Sequence, residues 1–545
     1  MGLATVEGTV PDLRRSHGLA DKPGSLPVLL AVIFVASFLS HIGLVRLPYL
    51  WDEAGYYIPA ARDLLLSGSL IPRSTVSNAH PPLVMIWLAT WWKIFGFAPL
   101  VTRSAMLLVA TFTLAGVFRL ARWAANLEVA IASTVCTGLY SVFFCQSSMA
   151  HLDMAAAGFT LWGLLSHLRK QRARSALWFS LACLAKETAI LAPLALLVWD
   201  SAQLVRAPSD DPQRRERWTA LFWLLFPGLP LAGWFGYHWT RTGYLFGNPE
   251  YFRYNVSSTL HPLRVMLAMA TRLWQLLGYM NMWLLTAAML FAMLLPPRRD
   301  SNQERPRISF SVQMTFYVVI AAYLIAMAAV GGALLARYLL PVYPLWIIVC
   351  VATLWRRVRY WGLVVSVIVA GFVLSIFINP PYGFAFEDNL AYRDYIRLHE
   401  DAETYLEARY PMARVLTAWP ASDEISRPYL GYLSRPMKVV QVDNFSFEHI
   451  SAASDLRNQY DVALVFSTKY VPLHSLLAGW PEWERLQRLY FGFHRDLPPA
   501  AAAQVLGGDL VYGAARNGQW IAVIRMEPVV DARIPNATAG GRNGF

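Results

Sequence analysis

The chain is constrained first by repetition. Apolar runs of about 18 residues or more, the length a bilayer demands of a helix, recur along roughly the first 380 positions. Hydrophobic residues make up 56% of the 545, charged ones 15%, and the mean hydropathy is +0.37. That balance lies well to the apolar side of soluble globular proteins and defines a polytopic α-helical membrane protein. The formal net charge of +12, from 47 Lys+Arg against 35 Asp+Glu, therefore does not call for nucleic acid. Excess Lys and Arg is what holds membrane-protein loops on the cytoplasmic side. Cys136, Cys145, Cys183 and Cys350 all fall in apolar segments without a CxxC pair, which argues against both a disulfide framework and a zinc site. The first apolar run, about 26–45, follows Arg14, Arg15 and Lys22. It is long for a signal-peptide core and lacks a small-residue cleavage site, so it reads as a retained anchor.

The basic loops set the orientation. With the N-terminus inside, the first span exits and "WDEAGYY" emerges outside. Spans at about 101–120, 129–144 and 155–168 then return to Arg119 and Arg122, exit to "QSSMAHLDM" and return to "RKQRAR". The apolar stretch 176–204 is harder, because the loops on both flanks, "RKQRAR" and "RRER", are basic. Two full spans need about 40 residues, and a single span leaves "RRER" outside. A pair of short helices meeting at "AKETA" satisfies the charge rule and places Lys186 and Glu187 at the turn, near the outer side. Further spans at about 221–239, 279–295, 310–329, 339–354 and 363–378 bring the expectation to about 11–13 crossings.

From about residue 379 the polarity becomes mixed. Strand-like runs "RVLTAW", "MKVVQV", "DVALVFS" and "QWIAVIRM" alternate with helical patterns such as "LAYRDYIRLHEDAETYLEARY". Such alternation indicates a small α/β domain, outside by the count of spans, ending in the disordered-looking "PNATAGGRNGF". The expected division is a cytoplasmic segment 1–25, a membrane domain 26–380 with an outer loop 46–100, and a periplasmic α/β domain 381–545. No internal repeat is visible.

The polar groups that stand out all fall on the outer face or just below it. Asp52 and Glu53 lie in the loop before a short interfacial helix that Pro59 helps to start and that ends at "SGS". They are either solvated near a helix N-terminus or used. Asp153 in "HLDM" is an N-cap or a site residue. Lys186 sits in an apolar stretch, where a lysine costs about 2.5–3.5 kcal/mol at mid-membrane, unless it snorkels to the interface. Arg337 and Tyr338 in "LARYLLPVYP" end a span, as belt residues or as binders. His80 precedes two prolines that make a rigid turn, and Tyr56 is a further candidate. Together these supply a carboxylate to deprotonate an acceptor and cations to hold a phosphate, the set needed to move a group from a lipid phosphate.

The ordered motifs "WDEAGYYIPAARDLL", "HPPLVMIWLATWWKIFG", "TRSAMLLVATFTLAGVFRLAR", "HLDMAAAGF", "LACLAKETAILAPL" and "ARYLLPVYPLW" resemble bacterial membrane glycosyltransferases of the C-type superfamily. The nearest in kind are the protein O-mannosyltransferase-like and lipid A aminoarabinose transferase-like group. The resemblance covers roughly residues 26–380. It implies a polyprenyl-phosphate sugar donor, a periplasm-facing site in the cell inner membrane, and a catalytic Asp in the first outer loop, which falls on Asp52 with Glu53 beside it. It places a second acid on Asp153, the basic site of the hairpin on Lys186, and the late arginine–tyrosine motif on Arg337 and Tyr338. The family often has glycine after the lysine, where Glu187 stands here.

The expected reaction is a single inverting displacement: Asp52 takes the acceptor hydroxyl's proton, and Lys186 and Arg337 stabilise the leaving lipid phosphate. The acceptor is a lipid, a glycan or a protein, and nucleic acid is not a partner. The residues imply no particular cofactor, a divalent metal stays open, and no metal ligand is assigned. Asp52, Glu53, Asp153 and His80 offer donors compatible with a divalent metal, at a spacing that is not diagnostic. The competing readings are a glycolipid transporter or flippase, whose intramembrane charges would mark a pathway, and a non-catalytic membrane scaffold for the outer domain. Against the transporter stand the one-sided charges and the lack of paired half-chain symmetry.

Overall fold

The computed structural model describes residues 25–527 apart from 209–211, 213, 254–255, 257–258 and 473–479. The expected cytoplasmic segment, except its last residue, and the stretch "PNATAGGRNGF" lie outside the described residues. The first part is helical. It runs through α1 (Ser25–Ser40), α2 (Ile58–Ser67), α3 (Leu83–Phe95), α4 (Pro99–Ala124), α5 (Leu127–Leu139) and α6 (Ser141–Gln146). Then come α7 (Leu152–Leu168), α8 (Arg172–Ala185), α9 (Leu191–Arg206), α10 (Arg214–Leu225), α11 (Gly228–Thr242) and the short α12 (Pro249–Phe252). After α13 (Pro262–Leu277) and α14 (Met282–Met293), a small ribbon of β1 (Arg299–Asp300) and β2 (Gln303–Glu304) precedes α15 (Phe310–Ala329), α16 (Tyr343–Arg357) and α17 (Trp361–Phe377).

Among the described residues, five stretches are long and apolar enough to cross a bilayer: α4, 187–206, 214–242, 262–293 and α15. Shorter apolar helices stand at Leu26–Ser40, Leu83–Phe95, Leu127–Leu139 and Trp361–Phe377. The chain is a multi-pass membrane protein. Its helices are more broken than uniform spans would be. The stretch 129–144 forms two helices meeting at an extended Tyr140 (φ −64°, ψ 124°). Helix α13 was not anticipated, because Arg264 and Arg272 interrupt its apolar pattern. Both are buried and donate to backbone carbonyls at the end of α15 and just after it.

The stretch 172–206 folds as a pair of short helices. Helix α8 stops at Lys186, whose backbone is extended (φ −155°, ψ 131°). A 3-10 turn, Glu187–Ile190, leads into α9, where Pro193 occupies the first turn and its missing N–H is harmless. Contacts at the two ends fix the direction. Arg172 donates to Glu216 of α10 at 2.6 Å, and His167 at the end of α7 lies 3.7 Å from Asp200 in α9. At the other end Lys186 meets Asp153 at the start of α7, at 2.7 Å. The chain therefore goes across and returns, so both basic loops share one end. With 14 residues, α8 is about 21 Å long at 1.5 Å per residue, short of the roughly 30 Å hydrocarbon core. Lys186 is accordingly recessed among helices and buried.

Beyond α17, a 3-10 turn at Phe386–Asp388 leads to α18 (Ala391–Arg409) and a five-stranded sheet. Its strands are β3 (Arg414–Ala418), β4 (Lys438–Val442), β5 (Val462–Phe466), β6 (Gly508–Arg516) and β7 (Gln519–Met526), in the order β4-β3-β5-β7-β6. Strand β3 pairs parallel with β4 and β5, and β7 antiparallel with β5 and β6. The connections include α19 (Ala421–Ser426), α20 (Phe447–Ser454), α21 (Pro481–Phe491) and α22 (Pro499–Leu506). Four strands coincide with the strand-like runs of the sequence. The unanticipated β6 is an edge strand, largely exposed and rich in small residues. This α/β part sits on the 46–82 segment: the Tyr432 hydroxyl donates to the Tyr49 carbonyl (3.0 Å) and Arg427 to that of Ser74 (2.8 Å).

Candidate active site

The "WDEAGYY" segment is shaped by aromatic packing. Trp51 is held at φ 46°, an uncommon backbone conformation for a residue with a side chain. It packs edge-on against Trp419 (5.1 Å) and against Tyr395 (6.1 Å). A five-residue π-helical turn, Glu53–Tyr57, follows with Asp52 at its head. A Cβ on Gly55 would lie 2.7 Å from the Trp419 indole nitrogen, so only glycine lets the sheet side approach this closely.

The two adjacent carboxylates go to different places. Glu53 is fully buried and takes both arms of Arg103 (2.7 and 3.0 Å) together with the N–H groups of Leu50 (3.0 Å) and Ala150 (2.6 Å). Bidentate geometry plus two amides compensates both buried charges, and removing one partner of such a pair costs about 3–5 kcal/mol. Asp52 keeps a quarter of its side chain exposed and bonds Arg337.

Arg337 is the hub. It lies in a 3-10 turn, Ala336–Leu339, between α15 and α16. One end of its guanidinium donates to Asp52 and the other to Glu387, while Nε stands 3.5 Å from Asp153 Oδ2. His151 packs on it at 3.3 Å and donates from Nδ1 to the Gln146 amide oxygen (2.7 Å). Asp153, in the first turn of α7, does not cap that helix. Its other oxygen takes Lys186 Nζ, which lies 4.1 Å over the Tyr338 ring, a cation–π contact. Arg272 faces the same ring at 5.6 Å. His80 joins the edge of the group through Glu187 (2.7 Å).

Asp52, Asp153, Lys186, Arg337 and Tyr338 thus converge, while Glu53 points away from them. Sequence reasoning missed Glu387, His151 and Arg272. The available signal for Glu387 was a second adjacent acidic pair, Glu387–Asp388, after the last apolar helix. Burial pushes this pair above the usual carboxylate range, to about 8 for Glu387 and about 7 for Asp388, with Arg337 opposing the rise in both. Beside the cluster lies a narrow cleft of about 20 Å³ lined by Tyr56, Tyr57, Ser77, Asn78, His80 and Trp234.

The fold and site define a multi-pass membrane protein whose buried ionic cluster lies between its helices and an α/β domain. No protein-family model and no curated protein matches the chain. Among solved structures, the fold is that of ArnT from Cupriavidus metallidurans, a C-type membrane glycosyltransferase. The apo structure of ArnT aligns with a TM-score of 0.51 at 14% identity, over 92% of this chain and 98% of that one. ArnT bound to undecaprenyl phosphate aligns with a TM-score of 0.52 at 13% identity, over the same shares. An oligosaccharyltransferase from Archaeoglobus fulgidus aligns more loosely, with a TM-score of 0.45 at 11% identity over 81% of this chain and 70% of that one.

Proposed function

We propose that the protein transfers a sugar from a polyprenyl-phosphate donor to an acceptor hydroxyl, with inversion, on the outer face of the cell membrane. The observation that carries this reading is the convergence of Asp52, Asp153 and Glu387 on Arg337, with Lys186 alongside, at one end of the helices. The solved structure of ArnT with undecaprenyl phosphate supports the donor class. The basic loops lie at the opposite end, where Arg305 packs on Trp355 at 4.8 Å and Arg298 bonds Arg356. The positive-inside rule then puts the cluster and the α/β domain, 381–545, in the periplasm.

In the resting arrangement Arg337 holds Asp52. The donor phosphate takes over the guanidinium, whose planar fork suits two phosphate oxygens, and Asp52 is released toward the acceptor. The acceptor oxygen attacks the anomeric carbon, its proton passes to Asp52, and the bond from that carbon to the phosphate oxygen breaks. Lys186 and Arg337 stabilise the charge that grows on the departing phosphate. Glu53, locked on Arg103, positions the Asp52 turn and takes no proton.

Incubating purified protein with a panel of polyprenyl-phosphate sugars and candidate acceptors, followed by mass spectrometry, tests this. Consumption of one donor with a mass gain on an acceptor is expected. Translocation of glycolipid across vesicles without bond cleavage would favour the transporter. Topology is checked separately in intact cells. Asn458→Cys should react with an impermeant thiol reagent and Ser301→Cys should not.

A further inference from the structure

The α/β part holds a second cluster that the proposed reaction does not use. His399 and Glu403 stand four residues apart on α18, on one face of the helix, and Glu424 reaches them from α19. The three side chains are at most 1% exposed. His399 Nδ1 is 2.6 Å from Glu424 Oε2 and 3.7 Å from Glu403 Oε1, and the three donor atoms all lie within 4.8 Å of one another. Both oxygens of Glu403 and the second oxygen of Glu424 have no hydrogen-bond partner other than each other's carboxyl groups. Among the described residues no lysine or arginine pairs with either glutamate. Two carboxyls in a dry pocket with one imidazole are an expensive arrangement unless something compensates them.

We propose that His399, Glu403 and Glu424 bind a divalent metal ion, zinc by the chemistry of the donors. Zinc accepts imidazole and carboxylate at about 2.0–2.2 Å, which sets neighbouring donors about 3.3–3.6 Å apart in a tetrahedron. The observed 2.6 and 3.7 Å bracket that separation, so small side-chain shifts complete the site. The oxygens of Glu403 then receive the ion they face. The ion's place also gives it a role. The Tyr395 ring stacks on His399 at 3.9 Å and packs against Trp51, the residue before Asp52. Metal binding braces the α/β domain against the turn that carries Asp52. The sequence reading passed over this site because it looked for zinc ligands among the cysteines and the outer-loop acids.

The rival is a proton shared between the two glutamates, and Glu403→Gln separates the two. Glutamine copies the shape of a protonated glutamate but is a poor metal ligand. The full-length protein in detergent is loaded with zinc chloride, passed through gel filtration and analysed for bound metal by mass spectrometry, with thermal unfolding measured before and after chelation. The expected result is about one zinc per chain, a melting temperature lowered by chelator, and at least a tenfold loss of bound zinc in both Glu403→Gln and His399→Gln. A wild-type protein that stays metal-free under excess zinc, with Glu403→Gln equally or more stable, overturns the proposal in favour of the shared proton. Because the readout is metal content, the result is independent of whether the protein transfers sugars.

Discussion

Two acidic pairs flank the membrane part, Asp52–Glu53 after α1 and Glu387–Asp388 after α17. Each sends one carboxylate to Arg337 and the other elsewhere. The destinations of the second members differ. Glu53 receives a guanidinium and two backbone N–H groups, so its charge is fully compensated. Asp388 receives the Tyr279 phenol at 2.7 Å and a backbone group of Ala385, with no bidentate guanidinium of its own. Equal burial thus yields a fixed strut in one pair and, in the other, two carboxyls that burial raises to about 8 and about 7 even though Arg337 opposes the rise. The lesson is that a guanidinium shared among three carboxylates compensates each of them less than a guanidinium and two amides given to one.

The comparison breaks most visibly at Glu53. Glu53→Gln strands the Arg103 charge and should cost about 3–5 kcal/mol of stability, read as a large drop in melting temperature in detergent. An unchanged melting temperature would mean that Arg103 finds water. Next in size is Arg337→Lys, which keeps one charge but cannot span both acidic pairs. Turnover should fall by about 10²–10³-fold, more than donor affinity falls, because the lost interaction strengthens as phosphate charge develops. Equal losses in both would make Arg337 a binding residue only.

A smaller effect sharpens the second pair. Glu387 is neutral below its raised value of about 8 and charged above it. A new negative charge beside Arg337 opposes an incoming phosphate, while the donor's phosphodiester keeps one charge throughout. Donor affinity of the wild type should therefore fall several-fold as pH rises through about 8, and Glu387→Gln should show no such fall. Asp388→Asn should be the mildest, within about 1 kcal/mol of wild-type stability since the amide oxygen still accepts from Tyr279. It should also move the Glu387 transition to lower pH, because a neighbouring negative charge is gone.

The helical architecture was legible because a bilayer forces long apolar runs, and the hairpin at Lys186 because two basic loops flank too few residues. Helix α13 was hidden by Arg264 and Arg272, whose partners include carbonyls at and beyond the end of α15, far along the chain. In the site, Asp52, Asp153, Lys186 and Arg337 stood out as charges at the ends of apolar segments. Glu387 did not, since it follows the last span where the chain is already polar. The division of labour between Asp52 and Glu53 was also out of reach, because Arg103, which decides it, lies 50 residues away on another helix.

The most direct test of the account is Asp52→Asn, measured for donor binding and for single-turnover transfer in the same preparation. Asparagine keeps the shape and can still meet Arg337, but it cannot take a proton. Transfer should fall by about 10²-fold or more, with donor affinity and melting temperature near wild type. A variant that binds donor normally and retains most of its transfer rate would contradict the assignment of Asp52 as the base.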